Sequence, residues 1–397
     1  MILKMMSRMI TGVDFRLLMK FGYNAGFKGW KAANQFRKRV AQGINFPAFL
    51  FISVTGRCNL RCQGCWVSPG DPPVEMSLAT LGNLISSAKQ HGVTFFGILG
   101  GEPLMYNGLF DVLAKHPDCY FVIFTNGTLI TPEIAARMRS LGNVSPLISV
   151  EGLETVSDER RGGKNVFAKT MEGLKNCRDS RLITGVATSV CKSNIRELVS
   201  DKFVKDLEGR GIHYLWYYIY RPSGPNPMPE LALSAEEIAE VRRFIVDVRT
   251  RTPLLVIDAY WDHEGRPICP AALGLGYHIS PRGDVEPCPP VQIAKDNVGD
   301  GTGVYDVIVN SRFLKDFKVG ASGATKGCVL LEHPEFLTKL MAAHEAKDSS
   351  GRDAILKELA AMTPKPSHSM SGVTIPEKSW FYKFAKKNFF FGLGAYG

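Results

Sequence analysis

At 397 residues, with 45% hydrophobic and 22% charged side chains, the chain carries enough apolar mass for two domains or one large barrel with extensions, and a disordered chain is excluded. Nine cysteines, odd in number and partly clustered, with no secretory signal pattern, argue against a disulfide framework and for reduced thiols in a cytoplasmic setting. The net charge of +10 is end-loaded: residues 1–44 hold nine Lys or Arg against one acid, Asp14, a net of +8, which speaks of a surface partner rather than of the fold.

That first segment, residues 1–45, reads as a basic amphipathic stretch. On a helix, Ile2, Met6, Met9, Val13 and Leu17 share a face with Leu3, Ile10 and Phe21, while Lys4, Ser7, Arg8 and Thr11 lie opposite. No uncharged run approaches a membrane span. The pattern predicts peripheral contact with an anionic bilayer, with packing onto the rest of the protein as the alternative.

From Phe51 the chain alternates strand-like and helix-like stretches. Strands are predicted over 51–54, 94–99, 120–125, 147–150, 182–190 and 214–220, with helices near 77–90, 107–115, 131–140, 165–177 and 194–208. Ser77, Thr131 before Pro132 and Glu133, and Ser193 or Asn194 stand as N-caps. Six β-α units predict an α/β fold, a partial (β/α)6 TIM-like barrel over residues 46–229, with chemistry at the strand C-termini.

Two motifs follow strand ends. Cys58, Cys62 and Cys65 lie in RCNLRCQGCW after FPAFLFISV, and Gly100, Gly101, Glu102 and Pro103 form GGEP after TFFGIL. Three thiolates leave a four-coordinate site one ligand short: a structural zinc site is closed by four protein ligands, whereas a 4Fe-4S cluster on three thiolates keeps one iron open. A zinc knuckle with a remote fourth ligand is the plainer alternative.

The pair of motifs resembles the radical S-adenosylmethionine (radical SAM) superfamily, over roughly Phe46 to Cys328. The resemblance implies a 4Fe-4S cluster on the CxxxCxxC loop, S-adenosylmethionine chelated to its open iron, and GGEP at the methionine ammonium. It also implies cofactor contacts from Asn126 in TNG, Ser149 and Glu151 in ISVEG, and Arg161 in RRGG. For Asn126 the plain alternative is a turn, and for Glu151 a local salt bridge. Family members usually carry an aromatic residue just before the third cysteine; here that position is Gly64, with Trp66 one place after Cys65, either as its substitute or packed elsewhere.

Beyond the proline-rich RPSGPNPMP stretch, which reads as the end of the barrel, a helix with an acidic first turn is predicted over 234–250. Cys269 and Cys288, with Gly283 between them, resemble the opening of the auxiliary-cluster extension called SPASM or, in shorter form, twitch, with ISPRGDVEPC as a hairpin. Cys328 is the third ligand, in a region spanning 230–330. A fourth is left among substrate, water, Asp262, His263 and His333, and zinc is the alternative for the trio. Cys119, Cys177 and Cys191 read as core. A helical segment over 331–362 and a polar linker with an aromatic-basic tail over 363–397 complete the chain.

The resemblance implies an enzyme that cleaves S-adenosylmethionine reductively and abstracts a hydrogen atom from an unactivated C–H bond, with electrons from a reductant such as flavodoxin or ferredoxin. Only about 45 residues precede the first strand, short for a leader-binding domain. With the amphipathic ends, that favours a small lipid or isoprenoid-like substrate over the alternative of peptide maturation. A non-catalytic iron–sulfur electron carrier is the second class, against which GGEP stands. No nucleic-acid motif is present.

Overall fold

The structure is a computed structural model that describes residues 2–67, 73–370 and 372–389. Six parallel strands run in chain order through one sheet: β1 (Phe49–Ser53), β2 (Phe95–Leu99), β3 (Tyr120–Thr125), β4 (Val144–Ser149), β5 (Gly185–Val190) and β6 (Tyr214–Ile219). Their aromatic and β-branched runs are buried on both faces, as parallel strands between two layers require. One face, with Leu50, Ile52, Ile98, Ile123 and Ile148, packs on the helices. The other, with Phe49, Phe95, Tyr120, Leu147 and Trp216, fills the barrel interior.

The connecting helices begin where side chains satisfy their free N–H groups. Ser77 accepts from Thr80 N, Thr131 from Ile134 N, and Ser234 forms a capping box with Glu237. The helix expected near 194–208 is two, Ile195–Leu198 and Asp201–Gly209, because Ser200 caps a fresh start by accepting from Phe203 N.

The sheet does not stop at the proline-rich loop. A seventh strand, β7 (Leu255–Ile257), adds parallel to β6, while β8 (Gly276–Ile279) adds parallel to β1 and carries β9 (Val285–Glu286) as its antiparallel hairpin partner. Gly283, at φ +83°, makes the turn that hairpin needs. The barrel is therefore open, with the C-terminal cysteine region stitched to its first strand. Two helices, Val304–Asn310 and Arg312–Ala324, occupy a region whose Gly and Pro content hid them.

The basic segment closes the barrel floor. Helices α1 (Ile2–Gly12) and α2 (Phe15–Phe21) lead through a π-helical turn into α3 (Lys28–Ala41). Arg8 donates to the carbonyls of Glu208 and Ile212, Arg16 to Arg139 and Ser140, Lys20 to Leu141, Lys28 to Asp118, and Arg39 to His91 and Pro47. Several of these carbonyls end barrel helices, where cations are favoured. Val13 and Leu17 are buried, and Ala32, Ala33 and Phe36 of α3 plug the interior against Phe49 and Tyr120.

The stretch expected as a linker, 363–376, is pinned down: Lys365 N donates to Leu331 O, and Ile375 N donates to Gly265 O. Beyond it, Glu377 and Lys386 join Arg242, Arg249 and Asp258 in a buried ion cluster. The last part of the aromatic tail, residues 390–397, lies outside the described residues.

Candidate metal centre

The first cysteine loop leaves the end of β1 and lies on the GGEP turn. Gly101 N donates to Thr55 O and Glu102 N to Arg57 O, each at 2.8 Å. A side chain on Gly100 would stand 2.6 Å from the Thr55 carbonyl oxygen, and one on Gly101 would overlap the Arg57 carbonyl and reach 2.8 Å from Cys58 Cβ. The two motifs are thus one unit, and glycine is what lets them touch.

Glu102 is fully buried, and its carboxylate is spent inside the protein. It accepts from Leu104 N at 3.0 Å, Thr125 Oγ1 at 2.7 Å and Asn126 N at 2.8 Å, so it ties the ends of β2 and β3 together. Burial alone raises its pKa, and those donors work against the rise. What GGEP leaves for a ligand is backbone. Pro103 starts the short turn that follows. Asn126 closes an Asx turn by accepting from Thr128 N at 2.9 Å, and its amide donates to Asn59 Oδ1, which braces the cysteine loop.

Ser149, Glu151, Arg161 and Trp66 all line one cavity. Glu151 bonds Arg161 at 3.0 Å and accepts from Ser189 N, the local salt bridge weighed from sequence. Arg161 Nη1 lies 3.6 Å from Cys62 Sγ. Burial opposes the guanidinium charge, and Cys62 with Glu151 outweighs it and holds its pKa above the ordinary value. Trp66 stands edge-on to His278, with ring centroids 5.4 Å apart.

Gly64 has a positive φ, and a side chain there would overlap the Tyr220 ring. Tyr220, at the end of β6, therefore brings an aromatic ring to the position where the loop lacks one. Arg160 stacks over that ring at 5.2 Å and donates to Gln63 O. Neither Tyr220 nor Arg160 was legible as a site residue, since no spacing links them to the cysteines.

The second trio comes together along one wall of that cavity. Cys269, Cys288 and Cys328 line the same cavity as Cys62 and Cys65. Arg221 Nε donates to Cys328 Sγ at 3.0 Å and its guanidinium lies 4.9 Å over the Tyr260 ring. Of the side chains considered for a fourth ligand, none lines this cavity. Asp262 is consumed by Glu264 N, Arg266 N and Arg266 Nε, and His333 faces Glu335 at the surface. The cavity instead holds His368. Cys119, Cys177 and Cys191 are buried and lie outside it.

Both trios fit a cluster. Burial pushes the Cys58 thiol up, and it pushes Cys65 up to about 12 with Cys62 adding to it. Cys269 rises to about 11 by burial and the nearby Cys328 sulfur, and Cys288 rises by burial and both neighbours. Sulfurs crowded in a dry site ionise only with a cation among them. Among the described residues, no three His, Cys, Asp or Glu stand close enough to hold a single metal ion. A tetrahedral zinc draws its sulfurs to about 2.3 Å from one point, whereas a multi-iron cluster spreads them.

The sequence family described as the Radical SAM superfamily matches residues 52–199. Fe-coproporphyrin III synthase of Methanosarcina barkeri is 30% identical over 205 residues, 50% of this chain and 50% of that protein. Sporulation killing factor maturation protein SkfB of Bacillus subtilis is 26% identical over 272 residues, 64% of each chain. Mycofactocin maturase MftC of Mycolicibacterium smegmatis is 27% identical over 312 residues, 73% of this chain and 78% of that protein. The chain thus spans about half to just under two thirds of the first two of these relatives. In fold it is similar to Streptococcus suis SuiB bound to S-adenosylmethionine, with a TM-score of 0.61 and 18% identity over 74% of this chain and 72% of that one.

The open parallel barrel, with the three-cysteine loop at the end of its first strand, is the part of the fold that this likeness concerns. Residues 52–199 thus form a domain of the Radical SAM superfamily, a family that uses a 4Fe-4S cluster and S-adenosylmethionine, and over 73% of its length the chain is similar to MftC.

Proposed function

We propose that the chain is a radical SAM maturase that abstracts a hydrogen atom from a peptide. The observation that carries this is a single cavity of about 400 Å³ reaching from Cys62 and Cys65 to Cys269, Cys288 and Cys328. When bound, the cluster and S-adenosylmethionine supply a one-electron cleavage and the hydrogen-atom abstraction that follows it. Cys58, Cys62 and Cys65 would hold three irons of the cluster. Backbone groups of Gly100 and Gly101 would bind the methionine end, with Glu102 fixing their turn, and Arg161 would balance thiolate charge. Ser149 and Trp66 offer contacts to the nucleoside. Phe51, Phe124, Trp216, Tyr218 and Tyr260 wall the cavity with aromatic surface, which keeps water from a radical.

Maturases among the relatives support a peptide, as does the bound precursor peptide SuiA in a second structure of the SuiB fold. None of the relatives reported above is named for a lipid, so the lipid or isoprenoid expectation gives way to the maturase reading. Anaerobic protein reduced with dithionite should convert S-adenosylmethionine to 5'-deoxyadenosine, and a Cys58→Ala, Cys62→Ala, Cys65→Ala variant should yield none. Equal yields from both proteins would defeat the reading, and a cluster that is reduced without product would favour an electron carrier.

Peripheral membrane contact rests on what the floor helices leave outward. Leu3, Met6, Ile10, Phe15, Met19, Tyr23, Phe27 and Trp30 are exposed among Lys4, Arg16 and Lys31, and the Trp380–Asn388 helix exposes Trp380 and Phe384 beside Lys383 and Lys387. No described helix is long and apolar enough to cross a membrane. The chain should co-sediment with vesicles containing anionic lipid, and a Phe15→Ser, Tyr23→Ser, Phe27→Ser variant should pellet several-fold less. Equal pelleting of the two removes this contact. Truncating residues 1–45 is a poor test, because it removes the plug that α3 provides.

A further inference from the structure

Cys269, Cys288 and Cys328 leave an auxiliary cluster one protein ligand short, and the cavity they line contains two other side chains of a ligating acid or imidazole type, Glu151 and His368. Glu151 is committed to Arg161 and Ser189 N at the far trio. His368 is buried against the Tyr260 and Trp261 rings, its own polar contact runs to the backbone beside Cys269, and its neighbour Ser367 holds the backbone at Cys328. Its Nε2 lies 2.8 Å from the carbonyl oxygen of Ile268, the residue before Cys269, so Nε2 carries the proton. The neighbouring Ser367 Oγ accepts from Cys328 N at 2.8 Å.

That arrangement leaves Nδ1 without a donor. Ser367 Oγ is 3.4 Å away, but its own proton goes to Glu332 Oε1 at 2.5 Å. A bare ring nitrogen whose partner N–H is fixed by a backbone carbonyl is how proteins present imidazole to a metal. The stretch 363–376 is pinned at Lys365 and Ile375, so the ring is held in place rather than swung in.

We propose that His368 is the fourth protein ligand of the auxiliary cluster. This deepens the maturase reading and rests on it for the existence of that cluster. A full set of protein ligands makes the second cluster an electron relay and leaves no open iron to grip a substrate. A neutral imidazole in place of a fourth thiolate also sets the cluster at a higher potential.

The test uses full-length protein whose first trio is Cys58→Ala, Cys62→Ala, Cys65→Ala, so that only the auxiliary cluster remains. Pulsed electron paramagnetic resonance of the reduced cluster should show hyperfine coupling to a histidine nitrogen. His368→Gln, which keeps a donor for Ile268 O, should abolish the coupling while the cysteines retain iron. His368→Cys should restore a four-ligand cluster without nitrogen coupling and at a lower potential. Coupling that persists in His368→Gln, or no coupling in the parent with unchanged potential in both variants, overturns the assignment. The same protein's iron and sulfide content reports separately whether the cluster exists, and 5'-deoxyadenosine from the wild type reports on the maturase reading.

Discussion

The chemistry of this chain begins with residues that are small or soft. Three thiols on one loop and two glycines on the next come close enough for backbone groups of Thr55 and Arg57 to bond Gly101 and Glu102. Gly101→Ala should therefore displace the cysteine loop, since its new methyl overlaps the Arg57 carbonyl. Anaerobically assembled protein would lose one cluster's worth of iron and sulfide with its circular dichroism unchanged, and a full complement of iron would contradict this. The cysteine and GGEP residues were legible because their spacing is local. Tyr220, Arg221 and His368 were not, because each reaches the cavity from a distant segment and carries no motif. Glu102 and Asn126 were found by motif, yet the Glu102 carboxylate is occupied in joining strand ends and the Asn126 amide in closing a turn and bracing the cysteine loop, uses that only the hydrogen-bond partners reveal.

Among elements, strands and helix starts followed from apolar runs and capping residues, while the C-terminal strap escaped because its ties are tertiary. Its anchor is the cluster of Arg242, Arg249, Asp258, Glu377 and Lys386, all buried. Removing one partner strands the others, so Glu377→Ala should cost about 3–5 kcal/mol in chemical denaturation. Burial works to raise the Glu377 pKa, and Arg249, Lys386 and Arg242 outweigh it and hold it down to about 2, against an ordinary 4.5. Its stabilisation is thus full above about pH 4.5 and is lost as pH falls toward 2. The stability gap between wild type and Glu377→Gln should narrow over that window; a gap that stays constant would show that the carboxylate is not held ionised. The end-loaded charge, read from sequence as a sign of a surface partner, proves to be spent in part on carbonyls at the barrel floor.

Across the molecule, the sheet order explains why two cysteine groups far apart in sequence share a cavity. β8 pairs with β1, so the hairpin that carries Cys288 returns beside the strand that launches Cys58. A partial barrel was legible in the alternation of six units, but β7 and β8 were too short to announce that they extend it. Everything functional depends on the three-cysteine loop leaving one iron open beside GGEP. The most direct measurement is the electron paramagnetic resonance spectrum of the reduced first cluster, in protein with Cys269, Cys288 and Cys328 replaced by alanine, before and after adding S-adenosylmethionine. A shifted spectrum is predicted, because the cofactor would chelate the open iron. An unchanged spectrum, or a lone zinc in place of the cluster, would contradict the account.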